Sequence, residues 1–116
     1  LIDIELSSEN LESAMQIGEK AIMFNPESYS LLARMSALYN EMHDYEKSKK
    51  SSKKSLKIKK NYAPAAFELG VSEINLCNKI AAKEAFTIAK RDRNYRKVAS
   101  SYLKQENFDY YSKHCN

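Results

Sequence analysis

NLESAMQIGEKAIMFNP, residues 10–26, reads as an amphipathic helix with its start and stop signals in place. Leu11, Ala14, Met15, Gly18, Ala21 and Ile22 recur at helical spacing and make one apolar stripe. Asn10 is suited to cap the first turn, and Glu12 puts negative charge at the positive end of the helix dipole. Asn25-Pro26 ends the segment, and the small residues Gly18, Ala14 and Ala21 predict close approach of another helix. The pattern returns twice at steps of 34 residues: Asn10, Asp44, Asn78; Ala14, Ser48, Ala82; Ala21, Ser55, Ala89. A fixed period of this size is the signature of a helical repeat array.

Upstream, residues 1–7 read as the end of a helix whose beginning is absent, and the chain opens on Leu1 without a Met. Both features predict a fragment of a longer protein. Downstream, Pro26 is expected to open the next helix, and Leu31, Leu32, Met35, Leu38, Tyr39 and Met42 give strong helical periodicity over 29–42. After the His43-Asp44 turn, a helix over 45–59 is expected to bury Tyr45, Ser48, Ser52, Ser55, Leu56 and Ile58. Its serines pack like alanine if each hydroxyl bonds to a carbonyl one turn earlier.

Asn61 is the expected cap of a further helix, with Pro64 in its first turn and Ala65, Ala66, Phe67, Leu69, Gly70, Ile74 and Leu76 carrying it to about residue 76. Asn78 then caps a helix through Ile80, Ala82, Ala85, Phe86, Ile88 and Ala89. A final helix over 95–111 is predicted to bury Val98, Ala99, Tyr102 and Leu103 beneath a polar outer face, with SKHCN fraying at the end.

At 116 residues the chain is one domain's worth, and two glycines with two prolines supply little of the turn punctuation that an all-β fold needs. No apolar run reaches membrane-span length. Cys77 and Cys115 lie far apart without a CxxC, which predicts reduced thiols and a cytoplasmic setting. His43 reads as an exposed turn residue, and His114-Cys115 as tail residues supporting neither a metal site nor a nucleophile. With no Gly-rich phosphate loop and no carboxylate pair set apart by environment, the expectation is no catalysis, no cofactor and no metal.

The register resembles the tetratricopeptide repeat, a 34-residue helix–turn–helix unit. Leu69-Gly70, Ala82, Phe86 and Ala89 carry the pattern best, and Leu32, Met35, Tyr39, Tyr45 with Asn25-Pro26 carry it in the unit before. Ser48 and Ser55 stand where the family has alanine, Lys60 and Asn94 where it has proline, and Glu73 where it has an aromatic. The resemblance implies an all-α, right-handed solenoid of about three repeats: an incomplete unit over 1–26, units over 27–60 and 61–94, and a capping helix over 95–112.

In that family the first helix of each pair lines a concave side that holds an extended peptide or a partner helix. The mapping places Ser30, Ala33, Arg34, Ala37, Asn40 and Glu41 there from one unit, Phe67, Glu68, Val71, Ile74 and Asn75 from the next, and Ser101, Tyr102 and Gln105 from the last helix. Phe67, Val71 and Ala37 would form the floor, with Arg34, Asn40 and Asn75 as polar anchors. Phe67 and Val71 could equally pack against further repeats or a second copy, which leaves homo-oligomerisation open.

The second prominent feature is the lysine-rich segment 47–60, in which Lys50, Lys53, Lys54 and Lys57 share one helix face. Such a face suits an acidic protein, an anionic membrane or nucleic-acid phosphates, and equally needs no partner beyond water. Nucleic acid is disfavoured, because the stripe lacks arginine and interleaved aromatics. The expected function is therefore a non-catalytic protein-interaction scaffold. The alternatives are an anionic-surface binder or a regulatory module of a larger enzyme.

Overall fold

A computed structural model describes residues 8–115; the expectations for residues 1–7 and Asn116 lie outside the described residues. The described secondary structure is entirely helical: α1 (Ser8–Phe24), α2 (Tyr29–Glu41), α3 (Tyr45–Ile58), α4 (Ala63–Asn75), α5 (Lys79–Ala89), α6 (Arg96–Leu103) and α7 (Gln105–Tyr111). Each helix packs on the next in the chain, and α2 also packs on α4. None of these helices is long and apolar enough to cross a membrane.

The 34-residue recurrence is present in the backbone itself. Asp44 N–H donates to Tyr39 O at 2.8 Å, and Asn78 N–H to Glu73 O at 2.8 Å. His43 N–H reaches Asn40 O at 3.0 Å, and Cys77 N–H reaches Ile74 O at 3.2 Å. His43 and Cys77 both take the left-handed conformation, with φ of 61° and 66°. The same match holds between Ser28 N–H to Asn25 O and Tyr62 N–H to Lys59 O. Two hairpins of helix are thus joined by the same turn, written with different residues. In the columns of small side chains, Ser48, Ser55, Ala82 and Ala89 are all 0% exposed.

Several local expectations are corrected. Helix α1 already includes Ser8, so Asn10 lies inside the helix and is not its cap residue. Pro26 belongs to a turn, and Ser28 caps α2 by accepting from Leu31 N–H at 3.3 Å. Tyr62 occupies the cap position of α4, because Asn61 is left-handed (φ 65°). Asn78 precedes α5, but its side-chain amide turns back to donate to Glu73 Oε1 at 2.7 Å. Asp44 caps α3 as expected, accepting from Lys47 N–H.

Helices α2 and α3 meet along a hydroxyl seam. Ser48, Ser51 and Ser55 donate across the hairpin to Ser36 O, Leu32 O and Tyr29 O at 2.9, 2.7 and 2.7 Å. Ser36 Oγ lies 3.1 Å from Ser48 Oγ. Of the serines expected to bond one turn back, Ser52 does so, to Lys49 O, whereas Ser48 and Ser55 reach the neighbouring helix instead. A side chain of one hydroxymethyl is short enough to let the two backbones approach and long enough to tie them.

The core between α4, α5 and the C-terminal helices is apolar, built on Ala66, Ile74, Ala82, Phe86, Ala89, Ala99 and Phe108. Gly70 makes room for the Phe86 ring, whose carbons would lie 2.6–2.7 Å from an added Cβ. The expected final helix is two. The backbone is extended at Lys104, and Asn107 Nδ2 donates to Ser101 O at 2.8 Å across the break. The bend brings Phe108 into the core at 2% exposure. Val98 is expected to be buried but faces outward, because Ala99 occupies the buried line one position on; Ile80, in the first turn of α5, is exposed as well. Ile58 at the end of α3 is also exposed.

The cysteines and the tail are the largest corrections. Cys77 and Cys115 form a disulfide, with Cα atoms 5.4 Å apart, so the thiols are not free and the tail does not fray. The sulfurs meet because the segment after α7 returns to the C-terminal end of α4, where His114 and Cys115 lie against Asn75 O and Ile74 O beside the left-handed turn at residue 77. The cytoplasmic expectation loses the support it drew from reduced thiols.

Candidate functional site

Between α2 and α4 lies a depression of about 280 Å³ lined by Ser30, Ala33, Arg34, Ala37, Tyr62, Pro64, Glu68 and Tyr95. Helical spacing brings Ser30, Ala33, Arg34 and Ala37 to one face of α2. Ala33 is buried in the wall, Ala37 is half-buried, and Ser30 and Arg34 are exposed at the rim. No hydrogen bond or ion pair to another described residue holds the Arg34 guanidinium. Opposite it, burial pushes the Glu68 carboxyl above the ordinary carboxylate value; the Asn40 hydrogen bond pulls it down, and the charge of Glu41 pushes it up.

The other groove residues inferred from the resemblance do different things. Asn40 is 8% exposed, and its Nδ2 donates to Glu68 O at 3.1 Å and Glu68 Oε1 at 2.8 Å. Its Oδ1 is buried without a hydrogen-bond partner among the described residues. Asn40 therefore fixes the α2–α4 contact and positions Glu68. Phe67 lies against Phe86, Tyr95 and Tyr102, with centroid separations of 5.6–5.8 Å. Tyr102 stacks between Phe86 and Tyr111. Val71 is half-buried against the core, and Asn75 Nδ2 donates to Val71 O one turn back.

On α3, Lys50, Lys53, Lys54 and Lys57 are exposed. Two neighbouring lysines are engaged. Lys49 Nζ lies 3.4 Å from Glu73 Oε1, a buried carboxylate that also accepts from Asn78, and Lys47 pairs loosely with Asp44 at 3.9 Å. Lys47, Lys50 and Lys54 rim a second depression, of about 370 Å³, floored by Ile22, Leu32 and Met35 and bounded by Glu19 and Tyr39. There the Tyr39 hydroxyl donates to Glu19 Oε2 at 2.9 Å, and burial, then Glu19, pushes its pKa up to about 12. Sequence reasoning missed this depression, because its walls come from three helices and its apolar residues read as ordinary core.

A third cluster gathers at the far end. The sulfurs of Cys77 and Cys115 and a ring nitrogen of His114 all lie within 4.8 Å of one another. Of these three, Cys77 and His114 are exposed and Cys115 is half-buried. The adjacency of His114 and Cys115 was the available signal, but Cys77 joins them only through the fold. No model of a known protein family matches the chain, and no curated protein sequence matches it significantly.

Proposed function

We propose that the chain is a right-handed solenoid of the tetratricopeptide type, acting as a non-catalytic scaffold that holds a peptide or a partner helix on the concave side between α2 and α4. The observation that carries the reading is the identical turn geometry at His43 and Cys77, 34 residues apart, with small buried residues in register. Under that arrangement Ala33 and Ala37 offer a shallow apolar floor, and Arg34, unpaired among the described residues, a cation to meet a backbone carbonyl or a carboxylate. The exposed lysines of α3 favour a second reading, attachment to an anionic surface, with Lys50, Lys53, Lys54 and Lys57 as its contacts.

The test is selection of a displayed random peptide library on the immobilised protein. Phe67 is unsuitable for mutation because it braces the aromatic core, so the groove variant is Arg34→Glu with Ala37→Glu. The control carries Lys50→Glu, Lys53→Glu and Lys57→Glu. Enriched peptides that bind the control and lose the groove variant support the scaffold. Capture lost only in the lysine variant, with steep weakening by salt, favours the anionic-surface reading. Peptides indifferent to both variants, or no enrichment, overturn both assignments.

A further inference from the structure

The cluster at Cys77, His114 and Cys115 has the composition of a metal site as well as of a disulfide. The sulfurs come from the turn after α4 and from the segment after α7, positions 38 residues apart. His114 Nε2 lies 3.4 Å from Cys115 Sγ and 3.2 Å from Asn75 O, and Cys115 Sγ lies 3.7 Å from Ile74 O. The three donors thus converge on the C-terminal end of the 13-residue helix α4, where the backbone dipole is negative and a cation is favoured. Two thiolates with one imidazole form a donor set that suits zinc with one coordination position open.

We propose that Cys77, Cys115 and His114, once the disulfide is reduced, bind a thiophilic d10 cation, with Zn²⁺ the ion that two thiolates neutralise. The disulfide and the metal site use the same sulfurs, so the two states exclude each other. A dithiol reductant supplies two electrons and two protons, its own thiols closing to a disulfide while the Cys77–Cys115 bond becomes two thiols. Zn²⁺ then displaces two protons as it bonds the thiolates, without changing its oxidation state. Zinc–sulfur bonds of about 2.3 Å set the sulfurs about 3.8 Å apart. Rotation about the Cα–Cβ bonds of an exposed turn and a terminal segment reaches that separation. His114 exchanges its contact with Asn75 O for the metal. The C-terminal segment is then anchored to the α4–α5 turn in the oxidised state and in the zinc-bound state, and released only when reduced and metal-free.

Titration of the whole chain with Co²⁺, after reduction by a phosphine, tests this without thiols in the buffer. The expected result is saturation at one equivalent with tetrahedral d–d bands and thiolate-to-cobalt charge transfer, displaced by Zn²⁺ and absent from the oxidised protein. His114→Ala should weaken binding by about tenfold or more, since even outer-shell changes cost that much. Cys77→Ser should abolish the two-thiolate spectrum. As a second measurement on unmutated protein, Zn²⁺ should slow alkylation of both thiols. A Cu⁺ competition identifies which d10 ion is preferred, and stronger retention of Cu⁺ replaces Zn²⁺ as the assigned ion. Reduced protein that binds no Co²⁺ and gains no protection from Zn²⁺ overturns the proposal. So does a His114→Ala variant that binds as tightly as the parent.

Discussion

Gly70 and Gly18 show how the neighbour decides what a side chain costs. A Cβ at Gly70 would strike the Phe86 ring, which is 0% exposed and held by Phe67 and Tyr102. At Gly18 the obstruction is the end of the Met35 side chain, a flexible thioether that can swing aside. Alanine in a helix is worth up to about 1 kcal/mol over glycine, and overpacking a core costs about 1–3 kcal/mol. Gly70→Ala should therefore destabilise by roughly 1–2 kcal/mol, and Gly18→Ala should be neutral or stabilising, both read by urea denaturation. Glu68 makes a prediction of a different sign. Its carboxyl titrates above the ordinary value in the fold, so the folded state holds the proton more tightly than the unfolded chain. The contribution of Glu68 to stability is then greatest below the ordinary carboxylate pKa and falls as pH rises through the folded value. Glu68→Gln keeps an acceptor for Asn40 and should flatten that part of the pH profile. An unchanged slope would contradict the assignment.

The helix pair α2–α3 is held by the cross-hairpin hydroxyls of Ser48, Ser51 and Ser55. Each such bond contributes about 0.5–1.5 kcal/mol, partly offset by the better helix propensity of alanine, roughly 0.5 kcal/mol. Replacing all three by alanine should cost roughly 1–2 kcal/mol in urea denaturation. Ser55→Leu should cost more, because no space exists for it; a triple variant as stable as the parent would refute the seam. The positions of these serines were legible in the sequence, because a buried column at fixed spacing must be small whatever its chemistry. The direction of the hydroxyls was not legible, since it depends on where the facing carbonyls sit. The same limit explains Val98: a helical stripe read one residue out of phase turns by about 100°, enough to exchange an inner face for an outer one. The break at Lys104 carries no glycine or proline to announce it, and its cause, the burial of Phe108, is tertiary.

Over the whole molecule the helical class and the 34-residue register were readable, because packing imposes them at every turn. The Cys77–Cys115 pairing was not, for its partners are brought together by the fold alone. Closing a loop of 38 residues in the unfolded chain is worth about 4 kcal/mol in the chain-entropy account, and typical measured values are about 2–4 kcal/mol. Metal-free protein should thus lose roughly 2–4 kcal/mol on reduction, measured by urea denaturation with and without a phosphine. A loss below about 0.5 kcal/mol would mean that α7 holds its place without the bond. The hydroxyl seam has its own thermodynamic consequence. The heat-capacity change of unfolding comes from hydrating apolar surface, while hydrating polar groups acts against it. An interface of serines meeting carbonyls adds little to that change. The α2–α3 half should therefore keep its stability nearly level on cooling, while the ring-filled half around Phe86 carries the curvature.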